Sequence, residues 1–261
     1  MRKEDICAVI PAAGRGSRLG LEVPKILAPI GDDCTVWSHL RDSLAECAGH
    51  IHVVISPVFE GVVRTAVPAG PRVSVGVQQQ PLGMGDAIFG AAPVWKGFRH
   101  LLVVWGDQAG LSSETLRRAV ELHERGSGPR CTLPVVEMPR PYVQYVFRGS
   151  SLVEIRQARE GAAVDDRGFS DVGVFLLEVE GLEAAWQRYR EIAAAGALTG
   201  EVNFLPFLVY LSQECGWGFE RVRVRDAAEA RGINTPEDLK FFRELRAEGS
   251  NHDPQCIGAP V

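Results

Sequence analysis

From Pro11 the chain reads Pro11-Ala12-Ala13-Gly14-Arg15-Gly16-Ser17-Arg18-Leu19-Gly20, with Pro24-Lys25 shortly after. Small residues and glycines let backbone N–H groups come close to phosphate oxygens, and Arg15, Arg18 and Lys25 bring positive charge to them. Such a loop suits the holding of a triphosphate. A dinucleotide-type GxGxxG turn would not carry two arginines and the Pro-Lys that follows, and no GK[ST] of a Walker loop is present. Lysine is itself informative, because the chain holds 24 arginines and only 4 lysines.

Two further segments complete the chemistry. Gln78-Gln79-Gln80-Pro81-Leu82-Gly83-Met84-Gly85-Asp86-Ala87 offers, in Gln78, an amide with a donor and an acceptor to match a pyrimidine edge, and Gly83 leaves room for a base against the backbone. Taken alone, the segment could be a polar strand end leading into a helix. Val103-Val104-Trp105-Gly106-Asp107 is an apolar strand that delivers a carboxylate at its C-terminal end, where open α/β sheets bind ligands. A hard divalent ion bridging phosphates takes oxygen ligands, and Asp107 can supply one. A lone strand-end Asp is more often a turn former, and the glycine loop upstream shifts that balance towards metal.

The elements that must position these residues alternate. Ile6 to Ile10 predicts a strand buried on both faces, Thr35 to Ala48 a helix, Ile51 to Ser56 a strand, Phe59 to Val67 a helix and Val73 to Gln78 a strand. Gly85 to Ala92 follows as a helix, Leu101 to Trp105 as a strand, and a helix capped by Ser112 or Ser113 runs to Arg125 before Gly126. The second half predicts strands at Cys131 to Val136, Tyr142 to Arg148, Leu152 to Arg156 and Val172 to Glu178, an antiparallel extension. Helices at Leu182 to Ala194 and Phe204 to Glu214, a strand at Phe219 to Val224 and a helix from Pro236 to Glu248 complete the pattern. The expected fold is α/β: three layers, Rossmann-like, with a mostly parallel central sheet and a small antiparallel extension. One domain is expected over 1–248, with a nucleotide-binding half (1–126) and an acceptor-binding half (127–248), and a flexible tail over 249–261.

The motif Gly14-x-Gly16-x-Arg18 with Pro24-Lys25 resembles the signature of the sugar-1-phosphate nucleotidyltransferases, within the MobA-like NTP transferase superfamily. Over about residues 5 to 245 the chain most resembles the uridylyltransferase domain of the bifunctional N-acetylglucosamine-1-phosphate enzymes, and their acetyltransferase function is not expected of it. The resemblance implies a GT-A-like fold and transfer of NMP to a phosphorylated acceptor with release of pyrophosphate. It places Arg15, Arg18, Lys25 and Asp107 in catalysis, and Pro11, Ala12, Ala13, Gly14, Gly16, Ser17, Gln78, Gly83 and Met84 on the nucleotide. It implies Mg²⁺ held by Asp107 together with Asn234 of Gly232-Ile233-Asn234-Thr235.

The acceptor positions that the resemblance implies are Tyr142, Val143, Gln157, Asp171 and Glu201. Val143, Gln157 and Asp171 stand where the family has glycine, glutamate and asparagine, and Met84 where threonine is common. The acceptor is therefore expected to differ from N-acetylglucosamine 1-phosphate. UTP is favoured, CTP with a non-sugar phosphorylated or phosphonate acceptor is the rival, and an inactive nucleotide-sensing subunit is the third reading.

A formal charge of −5 and a pI of about 5.7 give no general attraction to nucleic acid or an acidic membrane. The 6 cysteines form no CxxC pair, so neither a disulfide framework nor a zinc cluster is expected from spacing. The first apolar run is too short for a signal peptide or a membrane span, and a reduced cytoplasm is the expected location.

Overall fold

The structure, a computed structural model, describes residues 1–14, 19–193 and 201–250 of the chain. Its layering follows from β1 (Ile6–Ala12), in which Ile6, Ala8 and Ile10 enter one core while Cys7 and Val9 enter another. Side chains of a strand alternate between faces, so a strand apolar at every position must be covered on both sides. In β6 (His100–Val104), Leu102 and Val104 share the first core and Leu101 and Val103 the second.

The first face is covered by α1 (Val36–Ala45), α2 (Glu60–Ala66), α5 (Ser113–Arg125) and α8 (Pro236–Ser250), which contribute residues such as Leu40, Val63, Leu116 and Phe242. The second is covered by α3 (Met84–Gly90), α4 (Ala92–Trp95), α6 (Leu182–Ile192) and α7 (Phe204–Gln213), with Ile88, Trp95, Trp186 and Phe207. Side-chain caps start several of these helices. Thr35 and Ser38 form a reciprocal capping box on α1, Ser112 accepts from Thr115 N–H on α5, and Asn203 accepts from Leu205 N–H on α7.

A ten-stranded mixed sheet lies between the two helical layers. Its parallel block runs β5 (Val73–Val77), β4 (His50–Ile55), β1, β6, with register pairs such as Ile10↔Val53 and Val9↔Val103. Beyond β6 the order continues with β11 (Val174–Glu178), β7 (Arg130–Pro139), β10 (Arg167–Asp171), β8 (Val143–Arg148) and β9 (Ser151–Gln157), each antiparallel to the next in this order. β12 (Gly218–Val224) lies parallel along β7.

Two expectations are corrected, and two features are new. The strand expected at Val172 to Glu178 starts only at Val174, as β11, because Gly173 has φ +74 and breaks the run from β10, a strand that was not expected. A Cβ there would stand 2.5 Å from Gln108 Nε2, and the left-handed backbone disfavours any other residue. The helix expected at Gly85 to Ala92 is interrupted at Ala91, giving α3 and α4. A small hairpin of β2 (Pro29–Gly31) and β3 (Cys34–Thr35) was not expected, and α8 packs on it, with Arg243 Nε donating to Pro29 O at 2.9 Å. That last helix reaches Ser250, and the tail from 251 lies outside the described residues. Among the described residues, no helix is long and apolar enough to cross a membrane.

Candidate functional site

The parallel pairing of β1 and β6 sets their carboxyl ends side by side. Contact is close there, since a Cβ on Gly106 would meet Ala12 Cβ at 3.0 Å. Pro11 and Ala12 end β1 half-buried, as is Ala13, and Gly14 is exposed with open space beside it. Arg15, Gly16, Ser17 and Arg18 lie outside the described residues. Past the loop, Pro24 is buried and leads into a short 3-10 turn, Lys25–Leu27, whose Ile26 and Leu27 are buried, so Lys25 is anchored on both sides.

Lys25, Asp107 and Asn234 meet. Lys25 Nζ donates to Asp107 Oδ2 at 3.2 Å and to Asn234 Oδ1 at 2.7 Å, bringing together residues 82 and 209 positions apart. The Lys25 and Asp107 side chains are 20% and 23% exposed, open enough for a ligand yet sheltered from full solvent screening. Backbone pairing fixes the arrangement: Ile233 N–H donates to Asp107 O at 2.9 Å, and Gln108 bridges to Gly232. Asn234 is in turn held by Asp238, whose Oδ2 accepts from the backbone N–H of Asn234 and of Thr235, both at 2.9 Å. Arg231 Nε donates to the other oxygen of Asp238 at 2.7 Å.

Gln78 and Gly83 also meet, although the glutamine amide points inward. Its Nε2 donates to Gly83 O and to Asp86 Oδ2, both at 2.9 Å, so the hydrogens of the amide close the 78–86 loop. A pocket of about 340 Å³ opens beside this segment, lined by His52, Val54, Gly76, Gln78, Leu82 and Asp86 among others. Met84 is exposed at the start of α3. Gly83 has φ +102, and a Cβ on it would come within 2.8 Å of Glu201 Cβ, so the candidate base loop and a candidate acceptor residue share a wall.

The remaining acceptor candidates are spread over the antiparallel strands. Val143 and Gln157 are cross-strand partners, and Gln157 Oε1 accepts from Asn203 Nδ2 at 3.2 Å. Asp171 is buried, accepts from Gly173 N–H at 2.6 Å, and its carboxyl is raised above the ordinary range chiefly by burial, with the Gly173 N–H opposing the rise. The neighbouring Tyr145 hydroxyl is buried as well and pushed far up by the same cause. Tyr142 is 57% exposed. Sequence reasoning missed Asp86, Asn203 and Asp238 as supports. Asp238 was the readable one, standing three residues after Thr235 in the pattern of a capped helix start.

Comparison with solved structures gives a fold match over nearly the whole chain. A Bacillus anthracis protein described as a glucose-1-phosphate thymidylyltransferase, in complex with a sucrose, superposes with TM-score 0.72 at 16% identity, covering 98% of each chain. Among curated proteins, the bifunctional protein GlmU of Acidithiobacillus ferrooxidans is 28% identical over 239 residues, 91% of this chain and 51% of that one. GlmU of a Thermotoga species is 27% identical over 244 residues, 91% and 50%. The chain spans about half the length of the curated relatives it matches. The model of the MobA-like NTP transferase domain matches residues 8–170, the stretch that carries most of β1, Lys25, Gln78 and Asp107 and more than half of the chain. By that match the chain belongs to the MobA-like NTP transferase domain family.

Proposed function

We propose that the protein is a Mg²⁺-dependent nucleotidyltransferase, moving the NMP part of a nucleoside triphosphate to a small phosphorylated acceptor and releasing pyrophosphate. The observation that carries this reading is the convergence of Lys25, Asp107 and Asn234 at the carboxyl ends of the parallel strands. An oxygen of the acceptor phosphate attacks the α-phosphorus in line, a P–O bond forms, and the bond to the β-phosphate oxygen breaks. The nucleophile is already ionised at neutral pH, so the protein needs to position the partners and offset charge, with no general base. Lys25, aided by Arg15 and Arg18 of the loop, places positive charge on the triphosphate.

The donor set suits Mg²⁺. Asp107 Oδ2 and Asn234 Oδ1 already share one cation, the Lys25 ammonium, and Mg²⁺ takes one or two protein oxygens alongside phosphate oxygens and water. When bound, such an ion would be held by Asp107 and Asn234 and would offset negative charge on the triphosphate. Lys25 would then turn from these oxygens to the triphosphate.

UTP and a sugar 1-phosphate are the favoured substrates, on the resemblance of the Gln78 to Ala87 segment and on the similarity to the GlmU proteins. CTP with a non-sugar acceptor is the second reading, favoured by the buried Asp171 carboxyl where the resembled family has an asparagine. A grid of four NTPs against phosphorylated acceptors, read by pyrophosphate release with Mg²⁺, tests both. Release is expected with a pyrimidine triphosphate. No release from any pair would overturn the proposal, and best use of GTP or ATP would overturn the base assignment.

A further inference from the structure

At the opposite ends of the same strands, a second polar cluster has no place in this chemistry. His100 opens β6 and Glu178 closes β11, and the two are cross-strand partners. His123 joins them from the last turn of α5. The cluster is deeply placed, with His100 4% and His123 0% exposed.

Neither histidine is satisfied. His123 Nδ1 meets the Thr132 hydroxyl at 2.9 Å, which leaves Nε2 as the free ring nitrogen, and Nε2 has no hydrogen-bond partner. His100 Nδ1 has none either. A buried polar atom left unpaired costs about 1–3 kcal/mol, so two that face one carboxylate call for a cause. His100 Nδ1 stands 3.4 Å from Glu178 Oε2 and His123 Nε2 stands 3.8 Å from Glu178 Oε1, and one ligand atom from each residue can be chosen within 4.8 Å of the others. In a tetrahedral site with bonds of about 2.0–2.1 Å, neighbouring ligand atoms lie about 3.3–3.4 Å apart, so His100 and Glu178 Oε2 already stand at ligand spacing, and the other separations, within 4.8 Å, close as the ion binds.

Two imidazoles and one carboxylate are the donors of a zinc-type ion and unlike the all-oxygen set Mg²⁺ prefers. The Thr132 contact supplies the outer partner that orients a liganding imidazole. Arg130 donates to Glu178 Oε1 at 2.7 Å and occupies that oxygen, leaving Oε2 on the side of His100 for the ion. We propose that His100, His123 and Glu178 bind one divalent transition-metal ion of the zinc type, completed by water, and that the ion pins α5 to the seam between β6 and β11. The Glu178 side chain, 18% exposed, gives the ion its way in. The site sits at the start of β6 and Asp107 follows its far end, so the length of a strand of 5 residues at about 3.3 Å per residue stands between them and its role is structural.

The test uses chelator-stripped full-length protein in excess Mg²⁺, which fills oxygen-only sites, titrated calorimetrically with Zn²⁺. One Zn²⁺ per chain is expected, with a rise in Tm that grows with free Zn²⁺. Glu178→Gln and His100→Gln, each checked for folding by circular dichroism, are expected to weaken binding at least about tenfold and to lose the rise. X-ray absorption of the unaltered Zn²⁺ protein depends on no variant folding, and should show a shell of two imidazoles with oxygen and no sulfur. No stoichiometric binding, unchanged affinity in folded variants, or a sulfur-containing shell would each overturn the site.

Discussion

Lys25 is one of 4 lysines beside 24 arginines, and its ammonium sits between a carboxylate and a carboxamide oxygen. A guanidinium is larger and forked, so it cannot take the same place between those two oxygens. Lys25→Ala is expected to lower kcat about a hundredfold or more, and Lys25→Arg to restore only part of it. Full activity in Lys25→Arg would show that charge alone matters. Asp107→Ala and Asn234→Ala are each expected to cost at least about a hundredfold in turnover. Near-normal rates for both at saturating Mg²⁺ would remove the metal assignment. Gln78 behaves differently, because its amide hydrogens already hold Gly83 and Asp86. Gln78→Ala should weaken pyrimidine over purine selection by roughly 1–3 kcal/mol while changing kcat less, read from kcat/KM ratios across the four NTPs. That inward turn was not legible in the sequence, since it depends on how the 78–86 loop closes.

Among the elements, the turn into α8 carries Asn234, the second of the proposed oxygen ligands. Asp238 accepts from the backbone of Asn234 and Thr235 and pairs with Arg231. Asp238→Ala is expected to cost about 1–2 kcal/mol of stability, as for loss of a helix cap, and to lower kcat as well because Asn234 loses its anchor. Thermal unfolding and steady-state rates on one preparation check this, and a fall in Tm with kcat unchanged would separate the cap from the site. Thr235-Pro236 announces this helix in the sequence, whereas Asn234 was found through family resemblance alone. β1 and β6 were legible because they are apolar at nearly every position. β10 was not, because Arg167-Gly168-Phe169-Ser170-Asp171 has no apolar alternation, and its strand state comes from pairing with β7 and β8. The break at Gly173 was equally hidden, since what demands it is the approach of Gln108 and Trp105 from a distant loop.

For the molecule as a whole, buried histidines tie stability to pH. Burial pushes His39 and His52 down to about 4, with Arg246 adding to the effect on His39 and His50 to that on His52. In the unfolded chain they titrate near 6.5, so as pH falls the unfolded state takes up protons first. Stability from these two groups is therefore complete above about pH 6.5 and is lost progressively towards pH 4. Tm is expected to fall by about 5 °C or more between pH 7 and pH 5, and His52→Gln to flatten that slope. An equal slope in the variant would show that His52 is not held neutral. The path of the chain has a further result during synthesis. Residues 25 and 107 belong to strands and loops that leave the ribosome early, while Asn234 follows β12, and α8 then sends Leu239 and Phe242 into the first core. A nascent chain can lay down the parallel block long before that, but its Lys25 and Asp107 lack their third member. Lys25, Asp107 and Asn234 can therefore come together only once the chain has been made past residue 234, and a chain that stops short of it lacks the assembled cluster.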